Sequence, residues 1–170
     1  MEWTFTGAWS GAVDNVLPSP VYPDRIPIRF GPATVGIGEY VPCLQKIEID
    51  TGNTVTLREC QNASDGSGYR GGIVTDRKVT GSLNPEATLV ADYDPHGDWQ
   101  TATPQSLDIE FSDADDKVII GVPRMQLAGV AEGDRSGIRT DELSWKANRN
   151  QTADDEIFIE FAAAASEPTP

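Results

Sequence analysis

Leu107, Ile109 and Phe111 alternate with Asp108, Glu110 and Ser112, and near the carboxyl end Ile157, Ile159 and Phe161 alternate with Glu156, Phe158 and Glu160. A two-residue period is what a strand with one buried face requires, because successive side chains leave the backbone on opposite sides. The period recurs: Trp3 and Phe5 against Thr4 and Thr6, Ile26, Ile28 and Phe30 against Pro27 and Arg29, Val55 and Leu57 against Thr54, Thr56 and Arg58. Pro27 marks its strand as an edge, since it has no N–H to donate. Val118 to Val122 is an apolar run ended by Pro123, after which Met125 and Leu127 alternate with Gln126 and Ala128; later, Leu143, Trp145 and Ala147 share a face. Turn residues separate the runs: Pro18, Pro20 and Pro23, then Ser64 to Gly68, Glu132 to Gly137, and Asn148 to Asp155. The spacing predicts a mainly β protein, either an antiparallel β-sandwich or a partly open barrel.

One short helix is expected over 95–102. Asp94 supplies the N-cap, Pro95 occupies the first helical position, Asp98 falls in the first turn, and Trp99 turns inward. Asn84, Pro85 and Glu86 offer a competing helix start, but Thr88, Leu89 and Val90 favour a strand. A chain of 170 residues can bury a real core. A single β domain is expected over 1–162, with small and proline-rich residues 163–170 as a flexible tail.

The formal net charge of −14 and the pI near 4.3 argue against a nucleic-acid groove, which is built on clustered Lys and Arg. No Lys or Arg stands between Lys78 and Lys117, while Glu86, Asp108, Glu110 and the candidate acidic surface Asp92, Asp94, Asp98, Asp113, Asp115 and Asp116 do. No stretch approaches the run of about 20 apolar residues that spans a bilayer, and no signal peptide is legible, so neither a membrane partner nor export is expected.

Little here points to catalysis. His96 is the sole histidine, which removes a catalytic triad or multi-histidine metal site built from one copy. Asp92, Asp94, His96 and Gly97 resemble the start of an EF-hand loop, but Thr103 stands where the bidentate Glu is needed. Gly68, Gly71 and Gly72 lack the Lys-Ser/Thr element of a phosphate loop. Trp3, Trp9, Trp99 and Trp145 could stack sugars if coplanar and exposed, though aromatic residues at strand spacing usually fill a core. No catalytic residues, metal or cofactor are assigned. Cys43 and Cys60 flank LQKIEIDTGNTVTLRE, whose Thr51-Gly52 reads as a hairpin turn. A two-residue loop would set Cys43 opposite Cys60, and a three-residue loop with a Gly52 bulge would shift them out of register. Reduced thiols are expected.

The segments WTFTGAW with VDNVLPSP, LQKIEIDTGNTV, GGIVTDRKVTGSLNPEA, and VPRMQLAGV with DRSGI, taken in order, resemble the tail tube proteins of long-tailed phages, in particular their carboxyl-terminal half. The likeness covers about 2–161. It implies a tail-tube-like β fold and a structural, non-enzymatic role in the virion tail, with synthesis in the bacterial host cytoplasm. It further implies a homo-oligomer in stacked, usually hexameric rings, contacting other tail proteins, with DNA as repelled cargo in the channel. Such proteins commonly carry a further amino-terminal region, so this chain reads as a fragment of a longer one. A tail terminator, tip or decoration module, or a carbohydrate-binding β-sandwich, are the alternatives. Within this reading, the long segment from Ile73 to Ala91 is the candidate edge, and Ile73, Val74, Thr75, Asp76, Arg77, Lys78, Val79, Thr80 and Gly81 form the candidate subunit-pairing strand.

Overall fold

The computed structural model describes residues 14–17, 19–20, 33–63, 68–112, 116–152 and 154–163. The expected strands at Trp3–Phe5 and Ile26–Phe30, together with Trp9, Pro18, Pro23, the turn at 64–67, Asp113, Asp115 and the tail beyond 163, lie outside them. The chain divides into two compact units, Met1–Ile26 with Gly52–Arg77, and Pro27–Thr51 with Lys78–Pro170.

The second unit holds a seven-stranded antiparallel sheet. Its strands are β1 (Ala33–Ile37), β2 (Leu44–Asp50), β5 (Thr80–Pro85), β6 (Gln105–Ser112), β7 (Asp116–Arg135), β8 (Ile138–Ala147) and β9 (Phe158–Ala163). They run in the order β1-β6-β7-β8-β5-β2, and β9 pairs with β7. The sheet curls into a half-barrel, so of the two β arrangements expected, the partly open one is found. The first unit contains the two-stranded antiparallel ribbon of β3 (Thr54–Glu59) and β4 (Tyr69–Asp76).

β7 organises the larger sheet. β6 lies along one edge of β7 from Lys117 to Met125, while β9 takes Asp116–Gly121 and β8 takes Met125–Arg135 on the other. Pro123 does not end this strand, contrary to expectation. The β6–β7 register slips between the Leu107–Val122 and Gln105–Met125 pairs, so the residue that cannot donate to a ladder sits in the irregular step. The turn expected over Glu132 to Gly137 narrows to Ser136 and Gly137, with φ of 56° and 87°. Two positive values match the right-handed twist of the paired β7 and β8.

Leu107, Ile109 and Phe111 project to the core side with Val35, Ile37, Val122, Met125, Leu127, Leu83, Leu143 and Trp145. Trp145 is 1% exposed and lies across Gly81, its cross-strand partner; a Cβ on Gly81 would sit 2.3 Å from the indole Cζ2 and 2.2 Å from the Glu48 carbonyl oxygen. Only glycine leaves room for both neighbours. Tyr93 stacks on Tyr40 with ring centroids 4.6 Å apart, and burial, reinforced by Asp98, raises its hydroxyl pKa above the ordinary value.

Helix α1 spans Pro95–Thr101. The Asp94 side chain accepts from the Gly97 N–H at 2.9 Å, as expected of the N-cap, and Ala102 closes the helix in the left-handed region. Trp99 is 43% exposed rather than turned inward; its indole N–H reaches the Ala128 carbonyl of β7 at 3.2 Å. Thr88, Leu89 and Val90 form no strand either: residues 87–89 are irregular and a turn follows, with Leu89 and Val90 both 73% exposed.

Candidate assembly surfaces

The candidate pairing segment is not one strand. Ile73, Val74, Thr75 and Asp76 belong to β4, Thr80 and Gly81 to β5, and Arg77, Lys78 and Val79 connect strands of different sheets. Val79 is buried at 2%, and its carbonyl accepts from the Ala147 N–H. β5 has β2 on one side and β8 on the other, so Thr80 and Gly81 have no open edge. The edge expected from Ile73 to Ala91 is thereby divided, and only its β4 portion lies in a two-stranded ribbon.

The supposed Thr51-Gly52 hairpin is also absent. β2 pairs with β5 and β3 with β4, so Cys43 and Cys60 are not cross-strand partners. Both thiols are free, Cys43 exposed and Cys60 half-buried. Sequence reasoning chose the nearest partner, whereas the register Glu48–Ser82 and Ile49–Gly81 is fixed by the longer-range match of apolar faces.

The described acidic candidates do not share one local role. Asp94 caps α1, Asp98 accepts from the Gln105 side chain at 2.5 Å, Asp92 is exposed in the preceding turn, and Asp116 opens β7 opposite Ala163. The outward side of the sheet carries a different group. Asp108, Gly121 and Phe158 align across β6, β7 and β9, followed by Glu110, Ile119 and Glu160. Phe158 lies over Gly121, where a Cβ would come within 2.2 Å of its Cζ atom. Glu110 binds Lys117 at 2.7 Å, while Asp108 and Glu160 are exposed. Periodicity identified these outward positions but could not choose their neighbours on adjacent strands.

Large apolar side chains stay accessible at Val41, Leu89, Val90, Trp99 and Ile138, and in groups on β9 and on the β3–β4 ribbon. On β9, Ile159 is 48% and Phe161 79% exposed although both continue the core side of the sheet through Val118 and Ile120. On the β3–β4 ribbon, Val55, Ile73 and Val74 are each about half exposed. Between β1 and β2 the curled sheet leaves a cleft of about 360 Å³ lined by Val35, Val41, Leu44, Ile47 and Phe111. His96 lines a second hollow with Tyr93, Arg139 and Asp141. Among the described residues, no group of three or more His, Cys, Asp or Glu is placed to hold a metal ion, and no helix is long and apolar enough to cross a membrane.

No protein-family model and no curated protein matches the sequence. Solved structures do share its fold. The tube-terminating cap of the anti-feeding prophage aligns with a TM-score of 0.58 at 11% identity, over 84% of this chain and 97% of that one. A chain of the sheath–tube complex of PVC, an extracellular contractile injection system, in its extended state aligns with a TM-score of 0.57 at 10% identity, over 83% and 95%. At these identities the likeness establishes the fold.

Proposed function

We propose that the chain is a structural subunit of a phage-tail-like particle, forming rings of its tube or of the cap that ends the tube. The observation that carries this reading is the shared fold with a tube-terminating cap and a sheath–tube component over more than four fifths of the chain. Two features agree with it. Among the described residues β1 and β2 are the end strands of the main sheet, and apolar side chains on β9 and the β3–β4 ribbon remain accessible, as surfaces that join copies require. The described tryptophans offer no sugar platform, since Trp145 is buried and Trp99 alone is exposed.

In this role the partners are further copies, in hexameric rings if the phage resemblance extends to stoichiometry, and other tail proteins. The subunit is made in the bacterial host cytoplasm and resides in the particle; catalysis is not part of the role. The net charge of −14 would repel DNA passing through a channel lined by such subunits. Electron microscopy of the concentrated protein tests the reading. Stacked tubes identify a tube subunit, and single closed rings identify a cap or terminator. Particles that stay monomeric at every concentration overturn self-assembly.

A further inference from the structure

We infer that the β3–β4 ribbon docks onto the outward β6–β7–β9 face of a second copy; this rests on the assembly reading above and names its contact. Among the described residues, the ribbon's two strands pair only with each other. Val55 and Val74 are cross-strand partners, Ile73 follows on the alternate face, and all three are about half exposed. Apolar groups exposed on both faces of such a ribbon mark a surface that a partner covers.

Charge chooses the partner. The segment Gly52–Arg77 balances Arg58, Arg70 and Arg77 against Glu59, Asp65 and Asp76, within a chain whose net charge is −14. In the sheet unit, Lys46, Lys117 and Arg139 are each held by a carboxylate of the same unit within 2.7 Å and Arg135 is held by Glu86, while Lys78, Arg124, Lys146 and Arg149 make no ion pair among the described residues. Arg58 and Arg70 are exposed, and neither makes an ion pair among the described residues. The outward face offers the complement: Ile119 and Phe158 form an apolar centre flanked by Asp108 and Glu160, while Lys117, the cation in its next row, is already bound to Glu110. Valines flanked by unpaired arginines match this centre in both hydrophobicity and sign. The two surfaces differ, so the contact is head-to-tail and leads to rings or filaments rather than a closed two-fold dimer.

Two charge-reversed forms of the full chain test the contact, Arg58→Glu with Arg70→Glu, and Asp108→Lys with Glu160→Lys. All four positions are exposed, and circular dichroism should show both forms folded. Sedimentation velocity is expected to show each reversed form associating at least about tenfold more weakly than the parent, and the parent weakening as salt rises. Mixing the two reversed forms should restore association, because each ribbon then meets a face of opposite sign.

Parent-like association of either reversed form, or a mixture that fails to recover, would overturn this contact and leave the tail reading standing. A parent that stays monomeric at every concentration would overturn both. If reversal of the arginines abolishes retention of duplex DNA while association is unchanged, the ribbon's partner is nucleic acid and the inference is wrong.

Discussion

The β3–β4 ribbon and the seven-stranded sheet are written in the same sequence grammar but differ in outcome. Thr-Val-Thr-Leu in β3 alternates as regularly as Ser-Leu-Asp-Ile in β6, yet Val55 is 46% exposed and Leu107 fully buried. The difference comes from neighbours. β6 lies between β1 and β7 in a sheet that curls over its own apolar side, whereas among the described residues β3 and β4 have only each other for ladder partners. Alternation therefore identifies a strand, and the number of partners decides whether its apolar side is buried.

The largest effect expected from this contrast is on stability. Trp145→Ala should remove about 3–5 kcal/mol, since the indole fills the centre of the core, while Val74→Ala on the ribbon should cost less than about 1 kcal/mol. Urea unfolding of both variants checks this, and equal losses would break the comparison.

A second pair of substitutions sharpens it. Gly81→Ala would push a methyl into the Trp145 ring and a backbone carbonyl, costing about 1–3 kcal/mol. Gly72→Ala on β4 would meet only the Val55 Cγ1 atom at 3.5 Å, an ordinary contact, and should stay within about 0.5 kcal/mol. Thermal melts of the two proteins separate these values.

Where backbone conformation alone decides, the regions should respond alike. Gly71 in the ribbon and Gly137 in the β7–β8 turn have φ of 107° and 87°, with open space where a Cβ would go. Alanine at either should cost about 1 kcal/mol through conformation. Unequal melting shifts would mean that more than backbone geometry acts at one site.

The smallest effect concerns the loop before β9. Asp155 accepts from the backbone N–H groups of Asn150, Gln151 and Thr152, and those bonds, led by Thr152, lower its pKa from 3.8 to about 2. A depressed carboxylate pKa stabilises the fold above the unfolded value, and that contribution is lost as pH falls through the folded value. Hydrogen exchange, referenced to unstructured peptides at each pH, should show protection of these amides at pH 5 that fades between pH 4 and 2. Asp155→Asn should flatten the change.

The legible parts of the fold were those that local chemistry decides. Asp94 and Pro95 announced α1, and Leu107, Ile109 and Phe111 announced both β6 and its buried side. Strand partners were not legible. Thr51-Gly52 has the composition of a tight turn, but pairing β2 with β5 buries Ile47 and Ile49 beside Leu83, a gain set by residues far along the chain. Pro123 looked like a terminus because a proline costs one ladder bond, and the bulge that removes that cost depends on the register of β6. The same limit applied to the candidate surfaces. Asp108 and Glu160 are distant in sequence and become neighbours of one apolar centre only through β7, while the expected edge from Ile73 to Ala91 divided because β4 and β5 found partners in different sheets.

β7 also has a mechanical consequence. Tension applied along its 20 residues would be shared in shear, by the ladders to β6 and β9 near one end and to β8 near the other. Bonds loaded in shear must yield together, unlike those of a strand peeled from its end. A pull along β7 would thus meet a stiff spine, whereas a force that peels β9 away from β7 would unzip one bond at a time.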